Sequence, residues 1–183
     1  MEEGTFEEFA LKLLAALNDC GVEYIVVGGV AAVYYGRSRL TTDCDIVLSL
    51  EEMHLAGFAA CMKKYGFRIR EHDMLEGFKE KGHFNAYYGM TAFRADFSWR
   101  NGSLAEHGFE RAKDARLFGI LARMEAPEDV IIAKLVYGSP QDLDDAKAIL
   151  LAQKKLDKEY LGKRAAEERV WDKLKQLYAS IEK

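Results

Sequence analysis

An α/β (α+β) fold, a mixed sheet flanked by helices with further helices at the C-terminal end, is what the 183-residue sequence predicts. Three observations predict it. Helical and strand periodicities alternate through the first half. Two strand runs then flank a Gly89-Met90 turn, and near residue 126 the composition changes from mixed to helical.

Thr5 and Glu8 have capping-box spacing, and Phe6, Phe9, Leu13, Leu14 and Leu17 recur at helical intervals, which predicts an amphipathic helix over 6–19. Gly21 ends it. Glu23 to Val27 is the first strand, Gly28 and Gly29 follow, and VAAVYYG is a short helix. Residues 45–50 are the second strand, 51–65 a helix stopped by Gly66, and FRIRE a third strand. Residues 83–88 and 91–99 suit a hairpin. Ser103 and Glu106 repeat the capping-box spacing for a short helix, and ARLFGILARM is one strand or two. Pro127 opens the next helix at the position proline tolerates best, and everything beyond it reads as helix.

The length suits one sizeable core, and 49% hydrophobic with 31% charged residues marks an ordinary globular chain. A net charge of −4 excludes a surface built to coat nucleic acid throughout. Cys20, Cys44 and Cys61 form no CxxC pattern, so a reducing, cytoplasmic setting is expected, and Cys44 reads as a small buried apolar residue. The acidic start MEEGTFEEF lacks a signal-peptide pattern, and the run Tyr24 to Tyr35 is too short to cross a bilayer, so no membrane partner is expected. His54, His72, His83 and His107 have no ligand spacing.

The chemistry concentrates in VVGGVAAVYYGRSRLTTDCDIVLSL. Residues two apart on a strand share a face, so Asp43 and Asp45 point the same way while Cys44, Ile46, Leu48 and Leu50 form the apolar face. Two carboxylates side by side repel each other unless a cation sits between them. Such a pair suits oxygen-ligated Mg2+, which binds through one or two carboxylates and the phosphates of its substrate. Two ions so held clamp the attacking and leaving oxygens of phosphoryl or nucleotidyl transfer. A third carboxylate is wanted, and Asp96, on the polar side of the alternating strand AFRADFSW, supplies it if that strand runs beside the second.

Gly28 and Gly29 allow close backbone approach to phosphate and expose N–H groups at a helix N-terminus. Arg37 and Arg39 are placed to balance phosphate charge; an Arg39–Asp43 ion pair that stabilises the turn is the plainer role for Arg39. Lys134 falls in the apolar stripe of its helix, where a lysine needs an anionic partner or must snorkel out. Asp142, Asp144 and Asp145 read most simply as an acidic cluster at a helix N-terminus.

Together, Gly28-Gly29, the Arg39-x-Thr41-x-Asp43-x-Asp45 run and the later strand residue Asp96 resemble the polymerase-β-type nucleotidyltransferase superfamily, in particular its small AbiEii-like and minimal members. PEDVIIAKL and QDLDDAKAIL extend the resemblance over most of residues 20–152. It implies a polymerase-β-like fold with residues 1–126 as the nucleotidyltransferase core and 127–183 as a helical region packed on it. It further implies an NTP-dependent enzyme in which Asp43, Asp45 and Asp96 hold two Mg2+ ions and are catalytic. Gly28, Gly29, Arg39, Thr41 and Lys134 would contact the nucleotide. An NMP would pass to a hydroxyl on a protein, a tRNA end or a small molecule, in a toxin-antitoxin or phage-defence setting, with a helical protein among the expected partners. The sequence departs from many members at Gly29, where they carry a phosphate-contacting serine, and at Cys44.

Two alternatives fail on the motif itself. A dinucleotide-binding dehydrogenase needs GxGxxG after the first strand, and a DxDxT phosphohydrolase needs threonine where Val47 stands. The competing expectation is a catalytically degenerate module that keeps the fold and serves as an antitoxin or assembly partner.

Overall fold

In a computed structural model, which describes residues 4–36 and 38–181, seven strands form one mixed sheet in the order β3-β4-β5-β2-β1-β7-β6. The elements are α1 (Phe6–Asp19), β1 (Glu23–Val27), α2 (Gly28–Tyr35), β2 (Asp43–Ser49), a 3-10 turn at Glu52–His54 and α3 (Leu55–Lys64). β3 (Phe67–Ile69), α4 (Glu71–Glu80), β4 (His83–Tyr88), β5 (Arg94–Trp99) and α5 (Gly102–Arg111) follow. The chain closes with β6 (Lys113–Leu117), β7 (Ile120–Met124), α6 (Pro127–Tyr137), α7 (Pro140–Ala152), α8 (Lys158–Glu167) and α9 (Trp171–Ile181).

Register explains which side chains meet. Ile46 on β2 pairs with Val26 on β1 and Phe97 on β5, so these apolar residues share one face of the sheet. Helices α1 and α3 cover that face: Phe58 of α3 meets the Phe97 ring edge-on at 5.7 Å, and Phe9 of α1 packs on Phe67 and Phe93. The capping threonine works as expected, since the Glu8 N–H donates to Thr5 Oγ1 (3.1 Å) at the start of α1. On the opposite face α5 approaches so closely that a side chain at Gly108 would meet Ile25 Cδ1 at 2.9 Å. Among the described residues, no helix is long and apolar enough to cross a membrane.

Five expectations need correction. β2 begins at Asp43 rather than Asp45, and α2 begins at the glycines themselves. Residues 71–80 form a helix that the sequence reading left unassigned, because only Met74 and Gly77 of its ten residues are buried. Asn101, not Ser103, precedes the first turn of α5, and Ser103 instead accepts a hydrogen bond from Arg164 Nη2 (3.2 Å). Cys20 and Cys61, 41 residues apart, form a disulfide because α1 and α3 pack side by side on the same sheet face, a proximity that no local spacing reveals. Cys44 is free and buried, as expected.

Candidate active site

Asp43 and Asp45 both lie on β2, and β5 runs parallel beside it with Asp96 directly opposite Asp45. Three carboxylates thus share the face of the sheet turned away from α1 and α3. The central position of β2 follows from its composition: Cys44, Ile46, Val47 and Leu48 are all buried. The row continues across the sheet, with Asn85 of β4 opposite Asp96, Val27 of β1 opposite Asp45, and Glu125 beside Val27 just past the end of β7.

Gly28 is where the chain turns from β1 into α2. Its φ of +62° is the left-handed region, and a Cβ there would collide with the Asp45 carboxylate. The Gly29 N–H, in the first turn of α2, donates to Asp45 Oδ2 (3.3 Å). The glycine pair and the aspartate are one construction, joined before any ligand arrives. Burial pushes the Asp45 carboxyl up, the Gly29 bond opposes this, and the nearby Asp43 and Asp96 charges push it up further.

Thr41 Oγ1 donates to Asp43 Oδ1 (2.9 Å) and so orients that carboxylate. Arg94 fills a role that the sequence reading did not give it. Its Nε donates to Asp96 Oδ1 (2.8 Å) while Nη2 lies 3.8 Å from Asp43 Oδ2, so a guanidinium spans two of the three carboxylates. Among the described residues, no three His, Cys, Asp or Glu side chains converge as a ready metal cage. The donor set nonetheless fits a hard divalent cation: all-oxygen, on one face, and already drawing a positive charge in Arg94.

Arg39 is paired with Asp145 rather than with Asp43. It forms a two-pronged ion pair with Asp145 of α7, Nε to Oδ1 at 3.0 Å and Nη2 to Oδ2 at 3.1 Å. Lys134 has the anionic partners its buried place demands, with Nζ 2.7 Å from Asp142 Oδ1 and 3.1 Å from Asp145 Oδ2. Asp142 also caps α7 through Ser139; burial raises its carboxyl, but the hydrogen bonds from Lys134 and Ser139 prevail and hold it low. Asp145 is therefore a buried junction between the Arg39 loop, α6 and α7 rather than part of a solvated acidic cluster. Arg37 lies outside the described residues.

Gly28, Asp45, Arg94, Asp96, Glu125 and Lys134 border a cavity of about 790 Å³. That volume lies in the range of small-molecule sites. Glu125, 4% exposed, was not anticipated from the sequence, where a single glutamate after a strand carries no signal. Burial and the Asp129 charge, offset in part by Lys134, push it from 4.5 up to about 8. A carboxyl raised on folding keeps its proton where the unfolded chain has lost it, so its contribution to stability falls as pH climbs from about 4.5 to about 8. Glu125→Gln, neutral at every pH, should lose this dependence. In urea midpoints between about pH 5 and about pH 8 the variant should gain on the wild type, and a constant gap would refute the shift.

The chain has the polymerase-β-like nucleotidyltransferase fold. Over 91% of this chain and 98% of the other, it is similar to ANT(2'')-Ia in complex with adenylyl-2''-tobramycin, with 19% identity and a TM-score of 0.62. It is similar to an antigenic nucleotidyltransferase-like protein from Paracoccidioides brasiliensis at 14% identity and a TM-score of 0.63, over 96% and 92% of the two chains. The lincosamide antibiotic adenylyltransferase LnuA, lincomycin-bound, matches at 15% identity and a TM-score of 0.58 over 83% of this chain and 100% of that one. No family model matches the sequence, and no curated protein matches it.

Proposed function

We propose that this protein is an Mg2+-dependent nucleotidyltransferase that moves an NMP from an NTP to an acceptor hydroxyl. The observation that carries the reading is the register pair Asp45–Asp96, with Asp43 on the same strand face and the Gly28-Gly29 turn bonded to Asp45. In this reading Asp43, Asp45 and Asp96 hold the metal, which supplies charge neutralisation for the triphosphate and the leaving pyrophosphate.

The chain's own groups do the rest. The N–H groups at the start of α2 receive phosphate oxygens, where the helix dipole favours negative charge. Arg94 yields its place between the carboxylates and turns to the phosphates, and Lys134, at the cavity wall, adds a second positive charge. Thr41 keeps Asp43 in position, and Arg39 acts through the α7 junction. Asp96 accepts the acceptor's proton as its oxygen attacks the α-phosphorus in line and pyrophosphate departs.

The division into a 1–126 core and a 127–183 helical region belongs to the same reading, and the Arg39–Asp145 pair is one tie between them, with Gln153 Nε2 donating to the Tyr35 carbonyl as another. Of the three acceptor classes, a small molecule is favoured: the neighbours include structures with adenylyl-2''-tobramycin and with lincomycin. A toxin-antitoxin role with a helical partner, of the AbiEii-like or minimal kind, rests on the sequence resemblance alone. A cytoplasmic setting rests on the cysteine spacing, and the Cys20–Cys61 bond counts against it.

The second reading, a degenerate binding module, is favoured by one observation: Arg94 already occupies the space between Asp43 and Asp96 as an internal cation. Incubation with each α-labelled NTP and Mg2+, together with total tRNA, a cell lysate and a panel of hydroxylated antibiotics, separates the two. Label transferred to one acceptor establishes the enzyme. Absence of both transfer and NTP binding leaves the module.

A further inference from the structure

The row of polar residues on the catalytic face does not stop at Asp45. Val27 stands opposite Asp45, and Met124 stands opposite Val26, so Glu125 lies alongside Val27 on the face that carries Asp45 and Asp96. The Glu125 N–H, donating to the Val26 carbonyl at 3.0 Å, fixes that register. Two strand spacings put the Glu125 and Asp45 Cα atoms about 10 Å apart. Both residues line the same cavity.

Glu125 is also unfinished. Among the described residues its Oε2 is buried without a hydrogen-bond partner, and its Oε1 lies against the close approach of Gly108, where a Cβ would stand 3.2 Å away. Lys134, the cation on the same wall, is committed to Asp142 and Asp145. A buried carboxyl with an empty oxygen costs stability and calls for a group that completes it. A cationic N–H donor brought beside it would hold it ionised and complete the empty oxygen.

Resting on the nucleotidyl-transfer reading above, we infer that Glu125 recognises the acceptor and that the acceptor is an amine-bearing alcohol. Its ammonium meets Glu125 while its hydroxyl lies at Asp45 and Asp96. Glu125 is a specificity-determining group and takes no part in bond making.

The test is titration of the full chain with glucosamine and with tobramycin, each beside its N-acetylated counterpart, followed by the amide NMR signals of Val27 and Gly108. The free amines are expected to shift both signals and to bind at least about tenfold more tightly than the acetylated forms. Glu125→Gln is expected to remove that preference. Equal affinity for amine and acetylated probes, no binding of either amine, or an undiminished preference in Glu125→Gln would each overturn the inference. Should the variant fail to fold, the wild-type comparison of amine with amide decides alone. Mg2+–ATP binding to the wild-type protein is measured separately. Its absence would refute nucleotidyl transfer, whereas its presence without amine preference refutes only the role of Glu125.

Discussion

Replacing Asp45 with Asn is expected to cut nucleotidyl transfer on the order of a thousandfold while leaving the fold as stable as before, or more so. The two effects have one cause. Asp45 is pressed between burial and the charges of Asp43 and Asp96, an arrangement that a folded chain keeps only if the assembled charge is used. Asparagine retains the shape and an oxygen to accept the Gly29 N–H, so the β1–α2 turn survives. It removes the charge that draws a metal and its triphosphate. Pyrophosphate release and the urea midpoint, measured on the same preparation, test both halves. Retained turnover would remove Asp45 from the catalytic set, and a large loss of stability would mean that the carboxylate serves the fold.

Asp145→Ala should act in the opposite sense, costing about 3 kcal/mol or more of stability. Asp145 is 2% exposed and holds two cations at once, the Arg39 guanidinium and the Lys134 ammonium. Removing it leaves Arg39 without its two-pronged partner and Lys134, itself 7% exposed, with Asp142 alone. An uncompensated buried charge is the expensive outcome, far more so than the loss of one surface pair. Chemical denaturation gives the number. A change below about 1 kcal/mol would show that the junction is solvated and that α7 docks on apolar contacts such as Ala146 and Ile149.

Much of this was legible because it is local. The glycine pair ending a strand, and two aspartates one residue apart at the start of the next, fix a turn and a face within twenty residues. Asp96 was legible from the alternation in AFRADFSW, and the parallel pairing of β5 with β2 placed it opposite Asp45. What escaped was long-range. Arg39 finds Asp145 across 106 residues, and Cys20 finds Cys61 across 41. Arg94 was visible as a polar strand residue, but its bridging of Asp43 and Asp96 depends on the register of two strands. Glu125 is conspicuous only once its lack of a partner is seen, and a missing hydrogen bond leaves no trace in the sequence.

The two outer strands of the sheet bear on how the protein behaves in company. β3 is three residues long, and β6 reads KDARL, with charges at Lys113, Asp114 and Arg116. Short edges and charged edges are the two commonest ways by which a sheet declines a further strand. A seven-stranded sheet with such borders resists pairing edge to edge with copies of itself, which leaves association of this protein to its helical faces.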